Sequence, residues 1–261
     1  MKGTPVIVPE PIEQIVIVSD CTDLAYAEMR GAILRSARSI DSSANPRIEP
    51  LLPIADYSVL NAGFALRLIA DAYGPNTLLM FVMNSLRERT ERIIGRTETG
   101  GITFAGTNTG AVGWLLQDYG LSECFELHDP GFVPFGGKYV HAPAAGKALA
   151  GVPLSELGNP FSPSLVRRTL PTHGQVVHID NFGNAKFPLE HAFEQGARLR
   201  VECEGWSTRA VYGRRMMEHE DGTWVVYPGS SMDLFEIGEV RGAGLRGTPV
   251  KIGSTMHIVQ E

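Results

Sequence analysis

The chain has 261 residues, of which 43% are hydrophobic and 20% are charged, and its formal net charge is -6. This size and apolar content predict a protein that buries its own core without disulfide staples, and the negative charge gives no electrostatic reason to expect a nucleic-acid partner. No apolar run approaches the ~20 residues that cross a bilayer, and the first residues lack the basic region and apolar core of a signal peptide. We therefore expect a cytoplasmic protein with no membrane partner.

The three cysteines, Cys21, Cys124 and Cys203, form no pair at short spacing. An odd number of widely separated cysteines argues against both a disulfide framework and a zinc site. We therefore expect reduced thiols and no bound metal.

The first half of the chain alternates buried strands with amphipathic helices. The apolar run Gln14–Ser19 predicts a strand buried on both faces of a parallel sheet, and a helix over 24–38 follows it. The alternation continues with strands at 47–54, 77–83, 102–105 and 123–128, and with helices at 58–73, 111–119 and 141–150. This order predicts an α/β domain with a mostly parallel sheet, which we place at residues 12–158.

Polar residues follow several of these strands. Asp20 and Asp23 lie where the first strand gives way to a helix, and ligands of open α/β sheets bind beyond the carboxyl ends of the strands. Both carboxylates are candidate acceptors for sugar hydroxyls, although Asp23 fits a helix N-cap equally well. The polar run 84–92 after the third strand fits a solvated helical face, and the loop Gly106 to Gly110 suits an anion or a close backbone approach to a ligand.

The pattern changes after a proline-rich connector at 159–173. Short alternating strands separated by Gly and Asp-Gly turns are predicted at 198–204, 209–212, 223–227, 234–237, 250–252 and 256–259. This spacing is typical of a small antiparallel barrel or sandwich. We therefore predict that an all-β, barrel-like domain occupies residues 174–261.

This second domain begins with a strand that ends in a cluster of turn formers, residues 180–184. In one interpretation the cluster holds a flat heterocycle: Phe182 stacks on a base, and Asn184 offers a donor and an acceptor to a purine edge. In the other it is a tight Asx turn around a buried phenylalanine. These residues alone favour the turn, because Asn, Asp and Gly cluster in turns.

Four separated blocks, in this order, resemble the S-adenosylmethionine hydroxide adenosyltransferases and the related chlorinases and fluorinases. They are Ser19-Asp20 with Asp23 and Met29-Arg30-Gly31, the Ala-rich helix followed by Val152-Pro-Leu-Ser-Glu-Leu-Gly158, Ile179-Asp-Asn-Phe-Gly-Asn184, and Ser231-Met-Asp-Leu-Phe-Glu-Ile-Gly238. The resemblance covers nearly the whole chain. It implies an α/β domain followed by a β-barrel, a homotrimer with the ligand between neighbouring subunits, and S-adenosylmethionine as substrate with no separate cofactor.

The same resemblance implies which residues contact the ligand. Eight positions match substrate-binding sites of the family: Asp20, Asp23, Tyr57, Asn108, Asp180, Phe182, Asn184 and Ser231. Asp20 would bind the ribose diol, and Phe182 and Asn184 the adenine. The methionine end would fall to Asp23, Asp180 and Ser231. Tyr57 matches a pocket aromatic of the halogenating relatives, but it also fits a half-buried helix tyrosine.

The chain departs from the family where the nucleophile is held. Hydrolytic members position the attacking water with an Asp, an Arg and a His; here these positions are Asn84, Arg92 and Gly136. Three hypotheses follow. The first is displacement of methionine from C5′ by water, with Asn84 and Arg92 orienting the water. The second is displacement by a halide such as chloride, which Gly136 favours because chlorinating relatives also have a small residue there. The third is a non-catalytic protein that binds S-adenosylmethionine or adenosine.

Overall fold

The computed structural model describes residues 11–83, 90–191 and 193–261. The predicted catalytic residue Asn84 and the rest of the run 84–89 lie outside the described residues. The chain forms two compact units, Met1–Thr169 and Leu170–Glu261. The division between them falls inside the segment 159–173 that the sequence marks as a connector.

The described part of the first unit contains eight strands and four α-helices. The strands are Gln14–Ser19 (β1), Arg47–Ile48 (β2), Leu52–Pro53 (β3), Thr77–Val82 (β4), Arg92–Arg96 (β5), Thr103–Thr107 (β6), Glu123–Leu127 (β7) and Gly158–Pro160 (β8). The helices are Leu24–Ile40 (α1), Val59–Tyr73 (α2), Gly113–Tyr119 (α3) and Ala142–Leu149 (α4). A π-helical turn, Gly137–His141, runs directly into α4.

These strands form one sheet in the order β2-β1-β4-β6-β5-β7-β8, and β3 also pairs with β1. All pairs among β1, β2, β3, β4 and β6 are parallel, whereas β5 and β7 run antiparallel to their neighbours. The predicted α/β unit with a mostly parallel sheet is therefore confirmed. Because Arg92 pairs with Thr107, the start of β5 lies at the same edge as the carboxyl ends of the parallel strands.

The sheet is buried on both faces, as its apolar strands predict. On one face Phe81, Ile93 and Phe104 pack with α2 and α3; on the other, strand residues including Met80 and Ala105 pack with α1 and α4. All of these strand side chains are at most 1% exposed. The central strands thus fix the positions at which their carboxyl ends leave the sheet.

The sequence pattern does not predict strand β5. It indicates a solvated helical face for the whole run 84–92, yet Arg92 begins a strand whose middle residues, Ile93 and Ile94, are fully buried. Because arginines stand at both ends of β5, its apolar core is too short for the sequence pattern to indicate a strand. The predicted strand 47–54 is also divided, into β2 and β3, which flank Pro50.

The described part of the second unit is a sheet of seven strands. They are His178–Ile179 (β9), Ala185–Phe187 (β10), Arg198–Cys203 (β11), Trp206–Tyr212 (β12), Trp224–Pro228 (β13), Phe235–Glu239 (β14) and His257–Gln260 (β15), in the order β15-β11-β12-β13-β14-β10-β9. The sheet curls into a half-barrel around buried residues such as Phe187, Val201 and Ile237, which confirms the predicted barrel-like class. The prediction of purely antiparallel pairing is wrong, because β12 and β13 are parallel. A strand at 250–252 is also wrong, since those residues lead into a turn.

Candidate functional site

The carboxyl end of β1 holds Asp20 in a fixed turn. The Ser19 hydroxyl donates to the carbonyl of Val82, 2.6 Å away, and accepts from the backbone N–H of Cys21 at 2.9 Å. Asp20 Oδ2 then accepts from the backbone N–H of Tyr57 at 3.0 Å. The carboxylate that the resemblance assigns to the ribose therefore links the end of β1 to the segment between β3 and α2.

Tyr57 and Asp23 are both exposed and both have a left-handed backbone. Tyr57 precedes α2 with a φ of 59° and is 65% exposed, so the interpretation as a half-buried helix tyrosine is wrong. Asp23 precedes α1 with a φ of 56°, and its side chain makes no capping hydrogen bond to the described residues of that helix. Asp23 therefore occupies the predicted N-cap position of α1, but its side chain does not cap the helix. Non-glycine residues with positive φ are uncommon, and strained backbone of this kind concentrates at functional sites.

Arg92, at the same edge, is held by a carboxylate that the sequence pattern does not identify. Its Nη1 forms an ion pair with Asp129 Oδ2, and the Asp129 Oδ1 accepts from the backbone N–H of Gly131 at 2.9 Å. The two side chains are only 12% and 18% exposed. The guanidinium is thus fixed in orientation and largely screened from solvent.

Gly136 lies directly against this guanidinium. A Cβ at Gly136 would lie 2.7 Å from Arg92 Nη2 and 2.8 Å from Nε, much closer than any real Cβ contact. The structure therefore brings together two of the three predicted catalytic positions, Arg92 and Gly136. It also shows that arginine fills the space over the glycine.

His141 is buried beside the same ion pair. His141 is the last residue of the π-helical turn and is 1% exposed. Neither of its ring nitrogens hydrogen-bonds to a described residue. Burial, reinforced by the positive charge of Arg92, lowers the pKa of His141 to about 3. The Gly106 carbonyl and Asp129 oppose this shift, although the carbonyl does not meet hydrogen-bond geometry with either nitrogen. The ring is therefore neutral at physiological pH.

Asn108 serves as a structural anchor. Its Nδ2 donates to Glu91 Oε2 at 3.1 Å and to the carbonyl of Leu165 at 3.0 Å, and its Oδ1 accepts from the N–H of Arg167 at 2.8 Å. Hydrogen bonds from Thr90 and from Asn108 lower the pKa of Glu91. Both amide protons of Asn108 are used within the unit, so the side chain ties residues 165–167 to the sheet edge.

The glycine-flanked loop 106–110 is covered by Thr169, which follows the segment 165–167. The N–H of Thr169 donates to the carbonyl of Gly110 at 2.9 Å. A Cβ at Gly113 would lie 2.5 Å from the Thr169 nitrogen. The close backbone approach predicted for this loop is made by the chain itself.

In the second unit, Asp180 organises the turn that contains Phe182. Asp180 Oδ1 accepts from the backbone N–H groups of Phe182 and Asn184, both at 2.9 Å, and Oδ2 accepts from Asn184 Nδ2 at 3.1 Å. Gly183 has a φ of 89°, which a residue with a Cβ rarely adopts. The predicted Asx turn is confirmed, but Phe182 is 66% exposed, so its predicted burial is wrong.

A buried polar cluster lies on the strands next to this turn. Glu236 forms an ion pair with Lys186 and accepts from the Tyr227 hydroxyl at 2.8 Å. Burial and the neighbouring Glu236 raise the pKa of Tyr227, and burial together with Lys186 lowers the pKa of His178. Because both oxygens of Glu236 are engaged, the cluster stiffens the strands that carry the turn.

Ser231 does not lie beside the turn. It is 8% exposed and belongs to the loop between β13 and β14, next to the paired residues Pro228 and Phe235. Asn184, in contrast, packs against Gly238 near the other end of β14. The structure therefore groups Asp180, Phe182 and Asn184 and leaves Ser231 apart.

The described residues show neither a metal centre nor a membrane span. Within residues 11–83, 90–191 and 193–261, no group of three or more His, Cys, Asp or Glu side chains is arranged to hold a metal ion. None of the helices in these ranges combines the length and the apolar character needed to cross a bilayer. All three cysteines fall within these ranges and are free thiols.

Neither a family model nor a curated protein matches the sequence. Two crystal structures are similar over nearly the whole chain. An uncharacterized conserved protein from Thermotoga maritima is 19% identical, with a TM-score of 0.77 and coverage of 94% of this chain and 100% of that one. A conserved hypothetical protein from Thermus thermophilus is 23% identical, with a TM-score of 0.72 and coverage of 95% and 100%. At these identities the likeness establishes the fold, which this chain therefore shares with both proteins.

Proposed function

We propose that the protein belongs with the S-adenosylmethionine hydroxide adenosyltransferases and displaces methionine from C5′ of S-adenosylmethionine with water. The observation that carries this proposal is the exposed ring of Phe182 on a turn fixed by Asp180. An exposed aromatic ring on a rigid turn is a stacking platform for a base, and base stacking contributes ~1–3 kcal/mol. Asn184 keeps its carbonyl oxygen and one amide proton for the adenine edge after bonding to Asp180.

Asp20 supports the ribose part of the proposal. Its carboxylate lies at the carboxyl end of a central parallel strand, where open α/β sheets bind ligands. The N–H of Tyr57 fixes the orientation of Oδ2, and the Cys21 thiol donates to Oδ1 at 3.4 Å. A carboxylate fixed in this way is the kind of acceptor that ribose hydroxyls require.

The proposed reaction needs alignment more than acid or base. The water oxygen forms a bond to C5′ as the C5′–S bond breaks, the electron pair stays on sulfur, and one water proton passes to solvent. Because the departing thioether is neutral, it needs no general acid. The protein must hold the water in line with the C–S bond and exclude other water, and the fixed guanidinium of Arg92 is the group suited to orient it.

A second candidate is a protein that binds the adenosyl ligand without turnover. The observation in its favour is that Asp129 neutralises Arg92 while Gly136 supplies no base. The halide hypothesis has less support, because the carboxylate beside the guanidinium would repel chloride. Assembly as a homotrimer with the ligand between subunits remains part of the proposal, and analytical ultracentrifugation tests it.

Product analysis separates these candidates. The purified protein is incubated with S-adenosylmethionine, with and without chloride, and adenosine, methionine and 5′-chloro-5′-deoxyadenosine are followed by chromatography. Calorimetric titration with S-adenosylmethionine runs in parallel. Adenosine and methionine in equal amounts support the hydrolase, whereas binding without products leaves the non-catalytic candidate. Absence of binding would reject both.

A further inference from the structure

We propose that Asp129 and His141 are positioning residues for Arg92, and that these three side chains replace the Asp, Arg and His with which the hydrolytic relatives hold the attacking water. This inference rests on the proposed function. It places the missing carboxylate and imidazole at positions different from Asn84 and Gly136.

The carboxylate comes from the end of β7. Since β5 pairs antiparallel with both β6 and β7, the end of β7 reaches the edge at which β5 begins. Asp129 lies just beyond that end, where it pairs with Arg92 and accepts from Gly131. A guanidinium with one edge bound to a fixed carboxylate has a defined plane, so its other donors point in fixed directions.

The imidazole comes from the π-helical turn. His141 lies five positions after Gly136, and the N–H of Ala142 donates to the carbonyl of Gly137 with the same five-residue step. One π turn therefore connects Gly136, which contacts the guanidinium, to the buried His141. The charges of Arg92 and Asp129 both act on this imidazole. Single π turns inside helices are frequent at functional sites.

The His141 ring also needs a polar partner. Leaving a buried imidazole without a hydrogen bond is unfavourable, and neither nitrogen bonds to a described residue. A neutral ring offers one donor and one acceptor. A water molecule is small enough to bond both to such a ring and to the nearby ion pair, which would hold it without removing its proton.

Two variants of His141 and one of Asp129 test the assignment. We expect Asp129→Asn and His141→Leu to lower kcat for methionine release about 10-fold or more, because misplaced reacting groups lose rate steeply, with little change in KM or in the Kd for S-adenosylmethionine. His141→Gln keeps a donor and an acceptor, so it should recover most of the activity. His128→Gln, at an exposed neighbouring histidine, is the matched control and should match the wild type.

Wild-type kcat in His141→Leu, or equal losses in the Leu and Gln variants, would overturn the assignment. A second readout does not need turnover: nitrogen-15 NMR of the His141 ring in the intact protein, with Arg92→Lys as comparison. We expect one neutral tautomer whose ring signals shift in Arg92→Lys and when S-adenosylmethionine is added. If the wild type binds the ligand without turnover, the hydrolase proposal fails while these shifts still identify His141 as a positioning residue. Unchanged ring signals would reject that role independently.

Discussion

The guanidinium of Arg92 packs against the α-carbon of Gly136, so closely that a Cβ there would approach Nη2, Nε and Cζ to within 2.7, 2.8 and 3.0 Å. The ion pair with Asp129 keeps the arginine in this place. A histidine or any other side chain at this position would therefore require the guanidinium to move. The contact therefore explains in physical terms why glycine and the paired arginine occur together here.

The first prediction concerns Gly136. Gly136→Ala should push the guanidinium away from Asp129 and lower the free energy of unfolding by about 1–3 kcal/mol, the usual cost of overpacking. Gly31→Ala is the control, since Gly31 lies within α1 with nothing within 4 Å of the added Cβ; it should stabilise by about 0.5–1 kcal/mol. Urea denaturation measures both. Equal stability of Gly136→Ala and the wild type would show that the arginine moves at no cost.

The second prediction concerns the base platform. Phe182→Ala should weaken adenosine binding by about 1–3 kcal/mol and leave stability nearly unchanged, because the ring is mostly exposed. Phe132→Ala, at a phenylalanine that is 88% exposed in the first unit, should change neither. Calorimetry and thermal denaturation provide the two readouts. Unaltered adenosine affinity in Phe182→Ala would mean that the adenine binds elsewhere.

The third prediction separates anchoring from binding at Asn108. Asn108→Ala removes three partly buried hydrogen bonds to the chain, each of which contributes about 0.5–1.5 kcal/mol. Hydrogen exchange at the N–H of Arg167 should become faster, and the variant should be clearly less stable. Ligand affinity measured well below its melting temperature should be close to that of the wild type. A selective loss of affinity with normal stability would instead make Asn108 a ligand contact.

The fourth prediction is a pH dependence of stability from His141. Its pKa of about 3 in the folded protein lies below the ordinary 6.5, so the unfolded chain binds the extra proton. The contribution is complete above pH 6.5 and decreases as the pH falls from there towards 3, by up to ~1.4 kcal/mol per pH unit. Between pH 5 and 7, the free energy of unfolding measured by urea denaturation should therefore change less steeply with pH in His141→Leu than in the wild type. Identical slopes would show that the pKa of His141 is the same in the folded and the unfolded protein.

Much of the fold follows from local sequence pattern. The apolar runs of β1 and β4 are buried throughout, and Ser58 caps α2 by accepting from the N–H of Asn61 at 3.1 Å. The Asp180 turn is also predictable, because Asx turns depend on residues two to four positions apart. These features are set by near neighbours in the chain.

The remaining features of the site depend on distant neighbours. Asp129 and Arg92 are 37 residues apart, and only the antiparallel placement of β5 brings them together. The Asn108 side chain is fully hydrogen-bonded by Glu91 and by residues 165–167, and no local pattern points to either partner. For His141 one signal is available, since a histidine stands out at the start of an alanine-rich helix, but its burial depends on the tertiary structure.

The central claim is that water attacks C5′ of S-adenosylmethionine, and the most direct test is turnover in oxygen-18-labelled water. We predict that the label appears in the 5′-hydroxyl of adenosine, that methionine is released unlabelled, and that added chloride yields no 5′-chloro-5′-deoxyadenosine. Tight binding with no adenosine formed, or a chlorinated product, would contradict it.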